Sequence, residues 1–170
     1  AFLHAFMDRY IAIRPPKVVA KTFEGELWLL LKALYGVRRS PRLFYFHLKL
    51  VLQLMGLQSL ASEPTVFWRP ETEQQGRLYV LAYVDDILVV GKPQDVDWFF
   101  QKMGDYMTLK RGENVTEDGW VKYVGAEYRR VLGGFITRLP PSYFQDIVTE
   151  AGLGEGPIRS ISTPCVADLK

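Results

Sequence analysis

Two apolar, β-rich runs separated by only two residues set the strongest limit on the fold of this chain. The runs cover residues 78–84 and 87–90, and Asp85-Asp86 stands between them. Their composition is typical of strands, and the short link predicts that they pair as an antiparallel hairpin. The link is unusual, because a two-residue hairpin loop favours Asn-Gly, Asp-Gly or Gly-Gly, which adopt positive φ easily. Two adjacent aspartates meet that demand poorly.

Helical segments alternate irregularly with the strands. Ser40-Pro41 predicts a helix start, since Ser can cap free N–H groups and Pro fits the first turn. Apolar residues then recur at three- and four-residue intervals until Gly56, and similar spacing predicts helices over 94–107 and 140–151. Hairpins interleaved with helices in this order predict an α+β fold with an antiparallel sheet. The remaining predicted strands are 10–13, 26–34, 65–69, 120–128 and 135–138, with the last two joined across Leu132-Gly133-Gly134.

The composition excludes several classes of protein. Of 170 residues, 48% are hydrophobic and 24% charged, so the chain can bury a core and is neither disordered nor fibrous. One cysteine, Cys165, excludes a disulfide framework, and two histidines far apart in the sequence, His4 and His47, predict no zinc cluster. No apolar run approaches the ~20 residues of a membrane span, and neither end resembles a targeting signal, so we expect a soluble chain.

Charge is distributed unevenly along the chain. Residues 1–60 contain nine Lys/Arg and three Asp/Glu, whereas residues 61–120 contain six and eleven. A basic first third beside an acidic middle suits a protein that binds a polyanion with one region and a cation with the other. Solvated loops would produce the same asymmetry, so charge alone leaves both interpretations open.

The adjacent carboxylates of Asp85 and Asp86 indicate a metal site. Two anions a few ångströms apart repel each other by about 4 kcal/mol at an effective dielectric constant of 20. A divalent cation removes that cost, and Mg²⁺ is commonly held by one or two carboxylates together with substrate phosphates. The functional interpretation is therefore a metal site at a hairpin tip. The alternative is an acidic turn that water solvates.

Five sequence blocks, in the same order as in a known family, resemble the polymerases of copia-type retrotransposons. Tyr83-Val84-Asp85-Asp86 resembles the catalytic hairpin of reverse transcriptases. Residues 34–42, LYGVRRSPR, resemble the family signature LYGLKQSPR, and residues 1–4 resemble the end of its first motif, D-V-x-x-A-F-L. Residues 121–127 resemble the K-F-L-G-I-E strand that forms the primer grip, and residues 162–164 match the STP that follows the polymerase core.

The resemblance implies the fold of a right-hand polymerase. Its palm would be an antiparallel sheet backed by helices, with partial fingers and the start of the thumb. Residues 1–60 would belong to the fingers and palm, 61–128 to the palm with the catalytic hairpin and primer grip, and 129–170 to the thumb or connection. The first catalytic Asp of the family would stand four residues before Ala1, so we expect the chain by itself to have little or no activity.

The resemblance also implies the activity, RNA-directed DNA synthesis by two-metal nucleotidyl transfer. Asp85 and Asp86 would be the catalytic residues and would hold two Mg²⁺ ions, with Mn²⁺ a possible substitute. The partners would be an RNA template, a DNA primer, deoxynucleoside triphosphates and the integrase and RNase H of the same polyprotein, with no membrane. The location would be intracellular, in a cytoplasmic virus-like particle or the nucleus, and not secreted.

The remaining site residues follow from the same blocks. Phe2, Tyr35, Gly36 and Arg38 would contact the nucleotide, and the bulk of Phe2 would exclude a ribose 2′-hydroxyl. Template and primer would contact a second set: Arg39, Ser40, Pro41, Arg42, Tyr83, Tyr123, Val124 and Gly125.

Simpler interpretations remain open for several of these residues. Phe2 would also suit a hydrophobic core, Gly36 an ordinary loop, and residues 123–125 a buried strand. A decayed or domesticated chain that binds nucleic acid or protein without catalysis would keep the basic residues and not need the aspartates. A nucleotide cyclase would need a second carboxylate strand and a substrate loop, and we find neither.

Other acidic residues receive no role. Asp8 follows the first motif instead of preceding it, so its register is wrong for a catalytic aspartate. Asp95, Asp97 and Asp105 are predicted to lie on the surface of the helix that follows the hairpin.

Overall fold

A computed structural model describes residues 2–19 and 21–153 of the chain. Its fold is mixed, with three helices and three antiparallel sheets in the described residues. The chain divides into two compact units, the first ending at Gly112 and the second beginning at Glu113. The predicted combination of antiparallel strands and helices is confirmed. The Ser162-Thr163-Pro164 block and Cys165 lie outside the described residues.

The first unit holds two helices and two sheets. A 3₁₀ turn, Phe2–His4, precedes a small sheet of β1 (Ala12–Ile13) and β2 (Trp28–Leu29). A four-stranded sheet has the order β3-β4-β5-β6, and every neighbouring pair is antiparallel. Its strands are β3 (Gln58–Ser59), β4 (Val66–Arg69), β5 (Leu78–Tyr83) and β6 (Asp86–Gly91), and the helices are α1 (Ser40–Leu54) and α2 (Pro93–Gly104).

The prediction of one strand over residues 26–34 is wrong for most of its length. Only Trp28–Leu29 form a strand, and an isolated bridge joins Phe6 to Lys32 further on. Leu27, Leu29 and Leu31 are largely exposed, so the apolar composition here does not reflect burial. The chain instead runs through Ala33, which is fully buried, towards the loop before α1.

Helix α1 supplies one wall of the core because its apolar residues share a face. Phe44, Leu48, Val51 and Leu52 are all buried. They pack in one cluster with alternate residues of β5 and with Phe99 and Met103 of α2. The four-stranded sheet is therefore covered by helices, and the chain reverses after α1 at Gly56, whose φ of +84° suits glycine.

Ser40 does not cap α1, contrary to the sequence prediction. It is the first residue of the helix, and Arg39 stands at the cap position without a side-chain hydrogen bond. The fully buried Ser40 hydroxyl donates to the carbonyl oxygen of Leu34 at 2.6 Å and accepts from the Leu34 N–H at 3.1 Å. Ser40 thus fastens the loop of residues 34–39 to the start of α1.

We expect Ser40→Ala to lower the free energy of unfolding by about 1–3 kcal/mol, because the N–H and carbonyl of Leu34 lose their partner in a site that water does not reach. Urea unfolding followed by circular dichroism measures the loss. The control is Ser62→Ala at an exposed position, where a change within about 0.5 kcal/mol is expected. Equal losses in the two variants would contradict the fastening role.

Asp95 is buried, contrary to its predicted surface position, and it pairs with an arginine of the sheet. The exposed fractions of Asp95 and Arg69 are 4% and 5%. Nη2 of Arg69 donates to Oδ1 of Asp95 at 2.6 Å and to the carbonyl oxygen of Gly76 at 3.1 Å. The Gly76 N–H donates back to Asp95 Oδ1 at 3.1 Å, and the Arg69 guanidinium lies 4.5 Å from the Trp98 ring centroid. This network joins β4 to the N-terminus of α2.

The described part of the second unit, residues 113–153, contains a three-stranded sheet and one helix. The sheet has the order β7-β8-β9, with β7 (Val121–Tyr123), β8 (Ala126–Val131) and β9 (Gly134–Arg138). The predicted hairpin at residues 132–134 is confirmed, since Val131 pairs with Gly134 across Leu132-Gly133. Helix α3 (Pro141–Glu150) agrees with the predicted helix. Within the described residues, no helix is long and apolar enough to cross a membrane.

The prediction of a single strand over 120–128 is wrong, because Val124 and Gly125 form a turn between β7 and β8. Tyr123 pairs with Ala126 across them, and both turn residues have positive φ, +45° and +78°. Two consecutive positive φ values define a tight hairpin turn whose twist matches that of the strands. Gly125 makes the turn possible, while Val124 is strained in this conformation.

Candidate active site

The hairpin with the two aspartates forms as predicted, but its loop is shifted by one residue. Strands β5 and β6 pair from Leu78 with Gly91 to Tyr83 with Asp86, so the loop residues are Val84 and Asp85. Asp86 is the first residue of β6 and not a loop residue. Asp85 and Asp86 are both exposed, and the tip presents the two adjacent carboxylates to solvent.

Val84 carries the conformational cost of this tip. Its φ is +55°, whereas Asp85 is not among the residues with positive φ. Positive φ at the first loop position alone is the pattern that normally requires glycine. A β-branched residue there costs of order 1–3 kcal/mol, and such strain concentrates at functional sites.

Tyr35 links the loop before α1 to the hairpin tip. Its hydroxyl donates to Oδ2 of Asp85 at 3.3 Å, across 50 residues of sequence. The next residue, Gly36, has φ +90°, which glycine tolerates and which turns the chain at this point. Loss of solvent raises the pKa of the Tyr35 hydroxyl, and the charge and hydrogen bond of Asp85 raise it further. The hydroxyl therefore stays protonated and remains a donor to the carboxylate.

Phe2 supports Tyr35 from within the core. The two ring centroids are 4.5 Å apart, and the Phe2 ring also meets Phe44 of α1 at 5.9 Å in an edge contact. Phe2 is 8% exposed, while Tyr35 is 55% exposed. The structure therefore brings Phe2, Tyr35, Gly36 and Asp85 together. Of the two stacked rings, Tyr35 is the one that solvent reaches.

The basic residues beside α1 differ in their surroundings. Arg38 and Arg42 are exposed, and the Arg42 guanidinium lies 5.4 Å from the Phe46 ring centroid. Arg39 is half-buried, and its Nη2 forms an ion pair with Asp8. Asp8 thus has a charge partner in this loop. Pro41 is exposed, whereas Ser40 is fully buried and contacts Leu34 as described above.

The remaining predicted contact residues lie on exposed or half-buried strand ends. Tyr83, the last residue of β5, is 59% exposed beside the tip. Tyr123, Val124 and Gly125 form the β7–β8 turn of the second unit, where Tyr123 is half-buried and the other two are exposed.

The donor set at the hairpin tip fits a hard divalent cation. Both side chains are carboxylates, adjacent in sequence and open to solvent, and oxygen is the ligand atom that Mg²⁺ prefers. In the part of the chain that the structure describes, no group of three or more His, Cys, Asp or Glu side chains could hold a metal ion. Asp85 and Asp86 therefore offer a partial coordination shell that phosphate oxygens, water or a further carboxylate must complete.

Two residues that the sequence separates are neighbours in the fold. His4 and His47 are far apart in the sequence but lie with nearly parallel rings whose centroids are 6.5 Å apart. Burial lowers the pKa of both imidazoles, and the nearby charge of Lys32 lowers it further. The neutral form is therefore favoured for each.

Comparison with known proteins identifies the family. The family model described as reverse transcriptase (RNA-dependent DNA polymerase) matches residues 1–166. The chain therefore belongs to the reverse transcriptase family.

The relatives are transposon proteins of yeast and plants. The chain is 26% identical over 153 residues to a putative transposon Ty5-1 protein of Saccharomyces cerevisiae, a match that covers 89% of this chain and 47% of the relative. It is 35% identical over 94 residues to the retrovirus-related Pol polyprotein from transposon RE2 of Arabidopsis thaliana, covering 54% of this chain and 6% of that protein. The chain thus spans about half of the yeast relative and a small part of the polyprotein. No solved structure matches the chain.

Proposed function

We propose that this chain carries the catalytic hairpin of an RNA-directed DNA polymerase from a copia-type retroelement polyprotein. One observation supports the proposal above the others: the hydroxyl of Tyr35 meets Asp85 at the hairpin tip. That contact joins the LYG loop, one block of the family resemblance, to the acidic tip, a second block, and Phe2 of a third block lies against Tyr35. Three blocks far apart in sequence thus converge.

Asp85 and Asp86 are the residues that would hold the metal ions, two Mg²⁺ or Mn²⁺. The chemistry that bound metal ions would supply there is activation of the primer 3′-hydroxyl and stabilisation of the departing pyrophosphate. The chain's own contribution would be positioning: the Val84 turn holds the hairpin tip, and the Tyr35 hydroxyl donates a hydrogen bond to Asp85. Carboxylates fixed in this way lose little entropy when ions and phosphates arrive.

The nucleotide would lie on the side of the tip where Tyr35 and Gly36 are exposed, with Arg38 available to its phosphates. The glycine allows the backbone to approach closely. Phe2 is largely covered, so we propose that it contributes to deoxynucleotide selection only indirectly, by supporting the exposed Tyr35 ring that would face the sugar.

Template and primer would contact basic and aromatic residues of the first unit near the tip. Pro41 and Arg42 are exposed in the first turn of α1, and Tyr83 flanks the tip. Arg39 is half-buried and paired with Asp8, and the fully buried Ser40 would contribute only by fastening the loop before α1. The β7–β8 turn, residues 123–125, is proposed as the primer grip. In this interpretation the helix-covered sheet of the first unit is the polymerase palm, and the second unit contributes the primer grip and the start of the thumb.

The cellular setting follows from the same proposal. The plant relatives are Pol polyproteins, so integrase and RNase H would be the neighbours of this chain. RNA template, DNA primer and deoxynucleoside triphosphates would be its substrates. The protein would work inside the cell, in a virus-like particle or the nucleus.

Primer extension on an RNA template tests the proposed function. The full-length product of the gene that encodes this chain should incorporate deoxynucleotides with Mg²⁺ or Mn²⁺. The 170-residue polypeptide alone should incorporate little or none, because two carboxylates do not complete the metal site. Incorporation by the short polypeptide that disappears in Asp85→Asn would contradict this second expectation. Salt-dependent nucleic-acid binding by the full-length product without any incorporation would favour a non-catalytic binding protein instead.

A further inference from the structure

The three-stranded sheet of the second unit has one face rich in cations. Lys122, Glu127 and Arg138 form a cross-strand row, since Lys122 pairs with Glu127 and Glu127 with Arg138. Arg129 and Ile136 form the next row, and the Trp120 ring, just before β7, lies against both arginines. We call this set of six residues the Trp120 face. It carries three cations and one carboxylate.

Two guanidinium groups are held on this face by one indole ring. The Cζ atoms of Arg138 and Arg129 lie 3.9 Å and 4.9 Å from the Trp120 ring centroid. Arg138 Nε also donates to Oε2 of Glu127 at 2.7 Å, while the buried Nε of Arg129 has no hydrogen-bond partner in the described residues. Stacking and the ion pair reduce the rotational freedom of these long side chains, so less entropy is lost when their remaining N–H groups bind.

The surplus of positive charge on the Trp120 face indicates an anionic partner. Arginines at diagonal positions on one sheet face are within reach of each other, and like charges this close destabilise a sheet. One carboxylate cannot balance three cations. Planar guanidinium groups match phosphate with paired hydrogen bonds, and the side chain of Arg138 remains 43% exposed.

We propose that the Trp120 face binds the phosphate backbone of nucleic acid. The proposal rests on the proposed function for its choice of polyanion, and it adds a contact surface that is distinct from the β7–β8 turn. The opposite face of the same sheet carries Val121, Tyr123, Ala126, Tyr128 and Phe135, with Arg130 as its single arginine. Charge complementarity to a polyphosphate is therefore confined to one face.

Arg130 provides a matched control. It is the chain neighbour of Arg129, is exposed, and points to the other side of β8. Arg129→Gln, Arg138→Gln and Arg130→Gln each remove one positive charge, so net charge changes equally while the affected face differs. Arg129→Lys and Arg138→Lys keep the charge and remove only the planar fork, which separates electrostatic attraction from guanidinium geometry.

The experiment measures binding of a fluorescent RNA–DNA primer–template duplex to the full 170-residue chain by anisotropy, across a salt titration. We expect Arg129→Gln/Arg138→Gln to raise Kd about tenfold and to reduce the slope of log K against log salt by about 1–2, since each lost phosphate contact contributes roughly one. The lysine variants should keep most of the salt slope. Arg130→Gln should change Kd less than twofold. Circular dichroism shows whether each variant folds.

Several results would overturn the proposal. An equal effect of Arg130→Gln would show that only net charge matters, and an unchanged salt slope in the double variant would exclude phosphate contacts on this face. Stronger competition by polyglutamate than by unlabelled duplex would indicate an acidic protein partner instead. Failure of the proposed polymerase activity can be distinguished from failure of this inference. A full-length protein that does not extend primers could still bind nucleic acid through the Trp120 face, and the double variant would then still weaken binding. Conversely, an active polymerase whose binding ignores both arginines would refute this inference alone.

Discussion

Asp95→Ala should lower the free energy of unfolding of this protein by about 3–5 kcal/mol, the range for breaking one side of a buried ion pair. The reason is the charge left behind. Arg69 is 5% exposed, and its guanidinium would lose the carboxylate that it meets at 2.6 Å. The N–H of Gly76 would lose its acceptor in the same step. Trp98 remains against the guanidinium, but a ring face cannot replace a carboxylate.

Asp97→Ala is the matched control for this prediction. Asp97 lies two residues further along α2 and forms an ion pair with Arg111 at 2.7 Å, similar in length to the Asp95 pair. It is 62% exposed, so water replaces the lost partner, and a change of at most about 1 kcal/mol is expected. Urea unfolding compares the two variants, and Asp95→Asn serves if the alanine variant does not fold. Similar small losses in both variants would mean that water reaches Arg69 in the folded protein.

Sequence periodicity predicted the helices, but the prediction for Asp95 followed its charge and not its spacing. Asp95 stands four and eight residues before Phe99 and Met103, which are both buried, so its position on the inner face of α2 was readable from spacing alone. Arg69 lies two residues after the buried Phe67 on β4, so both side chains are on the same, buried face of the strand. The surface position predicted for Asp95 is wrong because its carboxylate has a buried charge partner, and burial of either residue is tolerable only in this ion pair. That partner lies 26 residues away in sequence.

The two hairpin tips show a different limit of sequence reasoning. Runs rich in valine and tyrosine predicted strands through residues 84 and 124, yet both valines are turn residues with positive φ. Local propensity opposes this conformation for a β-branched side chain. The strand pairing on either side of each turn fixes it, and pairing depends on contacts that propensity does not contain. Gly125 was the turn signal at the second tip. At the first tip the Asp85-Asp86 link predicted the hairpin but placed its loop one residue too late, since the loop residues are Val84 and Asp85.

The convergence at the candidate site could be predicted only as a family resemblance. Asp85, Gly36 and Phe2 were grouped on sequence blocks, and the structure places them in one region through Tyr35. The contact of Tyr35 with Asp85 spans 50 residues, so neither periodicity nor spacing predicts it. The adjacent carboxylates were the feature that sequence chemistry identified unaided, because their mutual repulsion required an explanation.

In the full-length gene product, Asp85→Asn or Asp86→Asn should each reduce RNA-templated deoxynucleotide incorporation by more than about a hundredfold. Even residues that only support metal ligands are worth 10–100-fold, and under the proposed function Asp85 and Asp86 would be the ligands themselves. An amide keeps the size of the side chain and removes its charge, so the change in catalysis is not confused with a change in packing. Steady-state primer extension in Mg²⁺ measures kcat, and anisotropy measures Kd for primer–template, which should stay within about threefold.

Two controls separate loss of the metal site from other causes. Asp105→Asn removes an exposed carboxylate paired with Lys102 at 2.9 Å, far in sequence from the tip, and should leave incorporation unchanged.

Tyr35→Phe keeps the ring against Phe2 and removes only the hydroxyl that meets Asp85 at 3.3 Å. Its incorporation should fall by about tenfold, the lower end for a supporting partner of a metal ligand. Because a loosened carboxylate binds ions more weakly, higher Mg²⁺ should restore part of the Tyr35→Phe loss and none of the Asp86→Asn loss. Full activity of Asp86→Asn at ordinary Mg²⁺ would show that Asp86 is not needed for catalysis. The hairpin tip would then be better explained as an acidic turn that water solvates.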